Sequence, residues 1–306
     1  MILEDRRYSV LAFVLLVLFW GSTFSAIKIG LGYAPPVLFA GIRTLLCGVV
    51  MMLAALVWSG KMNLRRDWWV YLLLAVLNAA FFMGLQVLTI FYMPSGSAAV
   101  MIYLQPILVG LLAFLILGEP LSATKIVGLF LGFCGIVAVS AGSLFGSGLG
   151  TPLGVAFGVS SAVSWALGTV YFKKYGGRIS TLWSVALPFT LGGVFLVGLA
   201  LVLEPLSEIS WNGTFVASLL YAALVGTASA WVLWFGLVSV GEASRVSAYV
   251  FFVPLVSILI GALLLGETLS LSLLIGAALV ISGIYLVNKP SAVSRQQSAK
   301  NAGAGH

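Results

Sequence analysis

A single arginine, Arg43, stands about two turns inside an apolar stretch, in the run Gly41-Ile42-Arg43-Thr44-Leu45. At the centre of a helix in lipid a cation costs about 2.5–3.5 kcal/mol on the insertion scale, so its placement needs a reason. One reading has it bind the carboxylate of a small solute or lock one conformation. The other has it snorkel to the outer interface or pair with helix-end carbonyls. Further along, Asn78, Phe82, Gln86 and Thr89 recur at a spacing that puts them on one helical face. Ser97, Met101 and Gln105 form a second polar series, and Trp20 with Thr23 and Ser164 with Trp165 add aromatic–hydroxyl pairs. The types return late in the chain as Thr227, Trp231, Trp234 and Phe235, then Ser247, Tyr249 and Phe251. Aromatic walls with few polar points line small-ligand pockets. Each of these residues also has a packing alternative, because membrane helices enrich the same types. As a set, Trp20, Thr23, Arg43, Asn78, Phe82, Gln86, Met101, Gln105, Trp165, Trp231, Trp234 and Tyr249 are the candidates for contact with a bound solute.

The chemistry they offer is recognition. The one histidine is His306, at the end of the chain, and Cys47 and Cys134 fall in apolar stretches as small packing residues. No nucleophile–base constellation, paired carboxylates or phosphate-binding glycine loop is present, so no enzyme, metal or cofactor is expected. Glu119 and Glu267 lie at the ends of apolar runs, in Glu-Pro-Leu-Ser and Glu-Thr-Leu-Ser. Ser122 and Ser270 read as N-caps of the following helices, each helped by the nearby carboxylate, which makes these acids scaffold. No Asp or Glu stands mid-run, which removes the acid that a proton-for-cation exchanger needs.

The elements that position these residues must be membrane helices. Of 306 residues 61% are hydrophobic and 8% charged, against roughly 25% charged in a soluble domain. Mean hydropathy is +1.17. Runs long enough for a ~30 Å hydrocarbon core place ten spans at roughly 9–31, 36–58, 68–92, 95–117, 122–142, 153–173, 181–203, 213–238, 242–265 and 269–288. The first run is too long for a cleaved signal and contains Trp20 and Lys28, so it is a retained span. Residues 142–150 are a Gly- and Ser-rich join, and the composition of 289–306 predicts a disordered tail. The net charge of +7 is spread over alternate span ends, which argues against nucleic acid as partner. Arg6, Arg7, Lys61, Arg65, Arg66, Lys125, Lys173, Lys174, Arg178, Arg245 and Lys289 share one side, while Glu204, Glu208 and Glu267 take the other. The positive-inside rule then puts both termini in the cytoplasm, in a multi-pass protein of the cell (inner or plasma) membrane. Lys28 and its mirror Lys173 read as interfacial anchors.

The chain also repeats itself. Leu117-Gly118-Glu119 returns 148 residues later as Leu265-Gly266-Glu267, and at that offset Pro106 meets Pro254, Gly128 meets Gly276 and Gly135 meets Gly283. Residues 9–142 and 153–288 are therefore two repeats. With five spans each they enter the bilayer from opposite sides, as in secondary transporters, whose site lies between repeats near the midplane. Pro106 and Pro254 are matched mid-span prolines, each freeing the carbonyl four residues earlier, at Ile102 and Val250. They read as a pair of hinges or exposed carbonyls flanking the cavity or, alternatively, as static kinks. The glycine faces Gly128-x-x-x-Gly132 with Gly135, and Gly276 with Gly283, serve either internal contacts or a homodimer.

The pieces Phe19-Trp20-Gly21-Ser22-Thr23-Phe24, Gly41-Ile42-Arg43 and the two Leu-Gly-Glu units with upstream prolines resemble the drug/metabolite transporter superfamily, and within it the ten-span EamA-type exporters. The resemblance covers roughly residues 9–288. It implies an all-α integral membrane protein, two inverted five-helix EamA repeats around a central cavity, that exports amino acids or related metabolites. The alternatives are multidrug efflux of lipophilic compounds, or a transport-inactive membrane scaffold or sensor. A small-molecule substrate and the lipid bilayer are the expected partners.

Overall fold

The computed structural model describes residues 6–60, 62–93, 95–141, 151–265 and 271–289. Lys61, the 142–150 join, Gly266, Glu267, Ser270 and the tail beyond Lys289 lie outside the described residues. Among those described, every regular element is helical. Eight helices are long and apolar enough to cross a membrane. They are α1 (Arg6–Gly30), α2 (Pro36–Trp58), α3 (Leu64–Tyr92), α4 (Ser97–Leu117), α6 (Pro152–Tyr175), α7 (Thr181–Leu203), α8 (Gly213–Val240) and α10 (Leu271–Asn288). The other two expected spans fall on the shorter apolar helices α5 (Ala123–Val139) and α9 (Ala243–Ser257, continuing to Leu265). The outer surface is apolar: Val202 is 82% exposed and Leu53 62%. Such a surface has its match in lipid, not in water.

The helices start and stop where the sequence provides for it. Pro36 and Pro152 open α2 and α6 at the position where the missing N–H costs nothing. Thr151, Ser180, Asn212 and Ser122 accept hydrogen bonds from first-turn amides of the helices they precede. Gly118 ends α4 at φ 70°, a left-handed conformation that glycine takes without strain.

Packing links the first five helices to the last five. Helix α1 lies on α8 and α9, and α6 lies on α3 and α4; α3 packs on α7, and α8 on α2. Helix α2 runs along α7 and α5 along α10. Exchanging α1–α5 with α6–α10 maps these principal contacts onto themselves. At the α5–α10 crossing a Cβ on Gly283 would lie 2.6 Å from the Gly128 carbonyl oxygen, and one on Gly276 would lie 2.7 Å from that of Gly135. The glycine faces are thus consumed inside the chain.

Irregular backbone also falls in matched places. Helix α3 carries a π segment at Ala75–Phe82 and α8 one at Leu224–Ser229. Helix α4 is interrupted between Ile102 and Gln105, just before Pro106. Helix α9 has a 3-10 turn at Tyr249–Phe251, just before Pro254. Pro188 lies inside α7 without interrupting it, so proline alone does not make the break.

Two rims close the bundle. At one, Glu204 accepts from Val37 N (2.9 Å) and Leu38 N (2.7 Å), and Ser210 N donates to Tyr33 O. At the other, Ser59 meets Ser180, Trp183 Nε1 donates to Gly60 O, and Lys173 Nζ donates to Ser239 O. Glu119 belongs to this second rim, and its role needs a correction. Its carboxylate does not serve the helix that follows it. It accepts from Ala243 N (2.6 Å), Ser244 N (3.1 Å) and Ser244 Oγ (2.6 Å), at the start of α9. Lys125 adds an ion pair to Glu242 at 2.6 Å. The negative charge meets the positive end of a helix from the other half of the molecule.

Candidate functional site

Trp20, about halfway along α1, packs edge-on to Trp165 of α6 at 5.2 Å between ring centroids. Trp231 and Trp234 of α8 lie 6.1 and 5.5 Å from Trp20, and Phe82 of α3 sits 4.9 Å from Trp165 and 5.7 Å from Trp231. Five rings from four helices therefore fill the centre of the bundle.

On the Glu204 side of these rings is a cavity bounded by Trp20, Phe82, Trp165 and Trp231 below and by Thr23, Arg43, Gln86 and Thr227 around it. Its volume is about 20 Å³, room for about one water molecule. Arg43 is 1% exposed, which overturns the snorkelling alternative: the guanidinium turns into the protein. Its Nη2 donates to Met83 Sδ at 2.9 Å and Gln86 Oε1 at 3.1 Å. No carboxylate pairs with it among the described residues. A cation buried against a thioether and a neutral amide thus has no counter-charge among the described residues.

Local structure explains who reaches the cavity. Gly226 lies against Thr23, so α1 and α8 approach closely there, and the π segment of α8 lets Thr227 Oγ1 donate to Ala222 O, five residues back. Of the twelve candidates, Trp20, Thr23, Arg43, Phe82, Gln86, Trp165 and Trp231 border the cavity. Trp234 belongs to the ring but does not border the cavity. Asn78 lies against Gly168, and Gln105 Nε2 donates to Thr169 Oγ1 at 3.5 Å, both toward the Glu119 rim. Met101 packs on Gly158. Tyr249 stands on the far side of α1, 4.3 Å from Phe13, in an apolar groove between α1 and α9 of about 500 Å³. Ile102, whose carbonyl Pro106 leaves free, also borders the cavity; so do Met83 and Tyr103, which were not foreseen from sequence. Met83 has a signal in retrospect, since it is one turn from Gln86. Among the described residues no cluster of His, Cys, Asp or Glu could hold a metal.

The fold and this pocket agree with what the chain is similar to. The EamA-like transporter family matches it twice, at residues 7–141 and 152–289. The chain belongs to this family. It is 42% identical to an uncharacterized transporter, YvbV, of Bacillus subtilis (strain 168), over 94% of this chain and 93% of that one. A probable amino-acid metabolite efflux pump of Salmonella typhimurium is 32% identical, with 92% and 95% of the two chains covered. A protein of the same description from Escherichia coli (strain K12) is 29% identical over 92% and 95%. A solved crystal structure shares the fold at TM-score 0.79 and 20% identity, covering 96% of this chain and 99% of that one. This EamA protein is thus a multi-pass membrane protein and a transporter of the drug/metabolite superfamily, as the sequence motifs indicated. The three named relatives above are described as transporters or efflux pumps.

Proposed function

We propose that this chain is a secondary exporter of small amphipathic metabolites that carry a carboxylate, with amino acids as the leading class. The observation that carries this reading is Arg43, buried at the cavity wall with no acidic partner among the described residues. A substrate carboxylate supplies the missing charge. Gln86 and the Thr23 and Thr227 hydroxyls are the neighbouring polar contacts, and the tryptophans take the apolar part. The relatives described as amino-acid metabolite efflux pumps support the same class.

The mechanism is alternating access in ten spans, arranged as inverted repeats at 9–142 and 153–288. The exchange-symmetric packing supports this, since two equivalent halves can swap conformations. A cavity of about 20 Å³ cannot hold an amino acid, so the halves must part at one rim to admit it. Matched breaks before Pro106 and Pro254 put a flexible point in each half. The basic rim faces the cytoplasm, with both termini, in the cell membrane.

Counterflow of labelled amino acids in proteoliposomes tests this reading, with and without a pH gradient. Saturable exchange of at least one panel member is expected. Absence of exchange for every member would remove the amino-acid assignment.

A further inference from the structure

On the Glu119 side of the tryptophan ring lies a second set of buried polar residues, which shares only Trp165 with the lining of the Arg43 cavity. Asn78 and Gln105 are both 0% exposed, yet neither amide atom of Asn78 nor Oε1 of Gln105 has a partner among the described residues. The same holds for the indole Nε1–H of Trp165 and of Trp234, and for Ser247 Oγ.

These atoms are neighbours in the fold. Asn78 touches Gly168 and Gln105 reaches Thr169, consecutive residues of α6 about one turn from Trp165 toward its Tyr175 end. The Trp165 and Trp234 rings are 5.6 Å apart. Ser247 belongs to the first piece of α9 (Ala243–Ala248), which packs on the Gln105–Leu112 piece of α4. Trp20, Phe82 and Trp231 pack around Trp165 and line the Arg43 cavity with it, whereas Asn78, Gln105, Trp234 and Ser247 do not border that cavity.

A buried polar atom without a partner is destabilising, and an apolar core is the simpler solution. Six such atoms on helices packed against one another point to a ligand that satisfies them. Their types say which. Asn78 Nδ2 and the two indoles donate, Asn78 Oδ1 and Gln105 Oε1 accept, and Ser247 does either. No charged side chain is among them. A lone anion would leave the acceptors unmet, and a lone cation would leave the indoles unmet. A head group with an ammonium and a carboxylate meets both.

We propose that Asn78, Gln105, Trp165, Trp234 and Ser247 form a second, neutral substrate station for the zwitterionic head group of an α-amino acid. The ammonium donates to the Asn78 and Gln105 oxygens, and the carboxylate accepts from the indoles. Passage beyond the tryptophan ring then brings the carboxylate to Arg43. The station rests on the amino-acid reading above and adds where and how the head group is held.

The test uses the full-length protein purified in detergent and its thermal unfolding, alone and with a panel of amino acids. Each amino acid is matched with its amino alcohol and its N-acetyl derivative. Asn78→Leu, Gln105→Met and Trp234→Phe are the variants; the last removes one N–H and serves if the others do not fold. Ligand-free Asn78→Leu and Gln105→Met should unfold roughly 2–4 °C higher than the parent, because an unmet polar group has gone. The stabilisation by amino acids should fall at least tenfold in apparent affinity, and neither derivative should stabilise the parent as strongly as its amino acid, although the N-acetyl derivative keeps the carboxylate that Arg43 can meet. Variants that unfold lower and still respond fully to amino acids would make the cluster structural and overturn the station alone. A parent that answers its amino alcohol or N-acetyl derivative equally well would overturn the zwitterion assignment. A parent indifferent to every amino acid would overturn the functional reading and the station together.

Discussion

Arg43 gains little from the protein that surrounds it. A guanidinium has five N–H donors, and here Nη2 meets Met83 and Gln86 while Nε is buried without a partner. Two opposite expectations follow for its removal, depending on whether it serves the fold or the solute. If it serves the solute, Arg43→Gln leaves the thermal stability of the ligand-free protein equal or higher. Half-saturating substrate concentration then rises roughly 10–100-fold, from the loss of about 1.5–3 kcal/mol of charge-assisted hydrogen bonding. Arg43→Lys should not restore transport, because an ammonium lacks the planar fork that grips a carboxylate. Transport kinetics and unfolding measured on the same preparations decide it: a destabilised Arg43→Gln partly rescued by lysine would make the residue structural. Arg43 was legible in the sequence because a charge inside an apolar run stands out. Met83 and Tyr103 were not, since methionine and tyrosine look alike whether they pack or line a cavity.

The helices themselves were legible from apolar run length, but the depth of the cavity along them was not. Asn78, Phe82, Gln86 and Thr89 share a face at α-helical spacing. Asn78, Phe82 and Thr89 meet α6 in turn, at Gly168, Trp165 and Gly158. Phe82 and Gln86 border the Arg43 cavity, while Asn78 lies outside it toward the Glu119 rim. Nothing local in the sequence announces where along that face the cavity sits. Close approach between helices is a different matter, because glycine marks it. At Gly283 an added Cβ would meet backbone atoms of Gly128 and Gly132 at 2.6 Å, and backbone cannot rotate out of the way. Gly283→Ala is therefore expected to cost about 1–3 kcal/mol. Gly198 of α7 has nothing within 4 Å of the same position, so Gly198→Ala should gain about 0.4–1 kcal/mol through the unfolded chain. Unfolding of the two variants side by side should show shifts of opposite sign. Equal behaviour would mean that the α5–α10 crossing is not close-packed.

For the molecule as a whole, the proposed alternating access asks what holds one rim shut while the other opens. Both described rims join the two halves through a carboxylate on a helix N-terminus: Glu204 on α2 and Glu119 on α9. Such contacts are strong when dry and are lost to water when a rim parts, so in that proposal they are latches and not permanent braces. The Glu119 latch has the larger network, since Lys125 bridges Glu242 and Ser244 beside it. Its partner is 124 residues away in the chain, which is why the sequence suggested only local capping. Glu119→Gln keeps the shape but replaces one accepting oxygen with an amide that donates toward other donors. The loss of charged hydrogen bonds, about 1.5–3 kcal/mol, should shift the equilibrium toward a state open at the Lys125 rim. A reporter for that state is Ala248→Cys, placed at a buried position of α9 in a background with Cys47 and Cys134 replaced by alanine. Its labelling by a water-soluble maleimide is expected to accelerate roughly tenfold or more with Glu119→Gln, consistent with that energy. Saturating substrate should alter the rate in both backgrounds, because a ligand with unequal affinity for two states redistributes them. If the labelling rate is the same with glutamate and glutamine, the rim is held by apolar packing and the carboxylate has no part in gating.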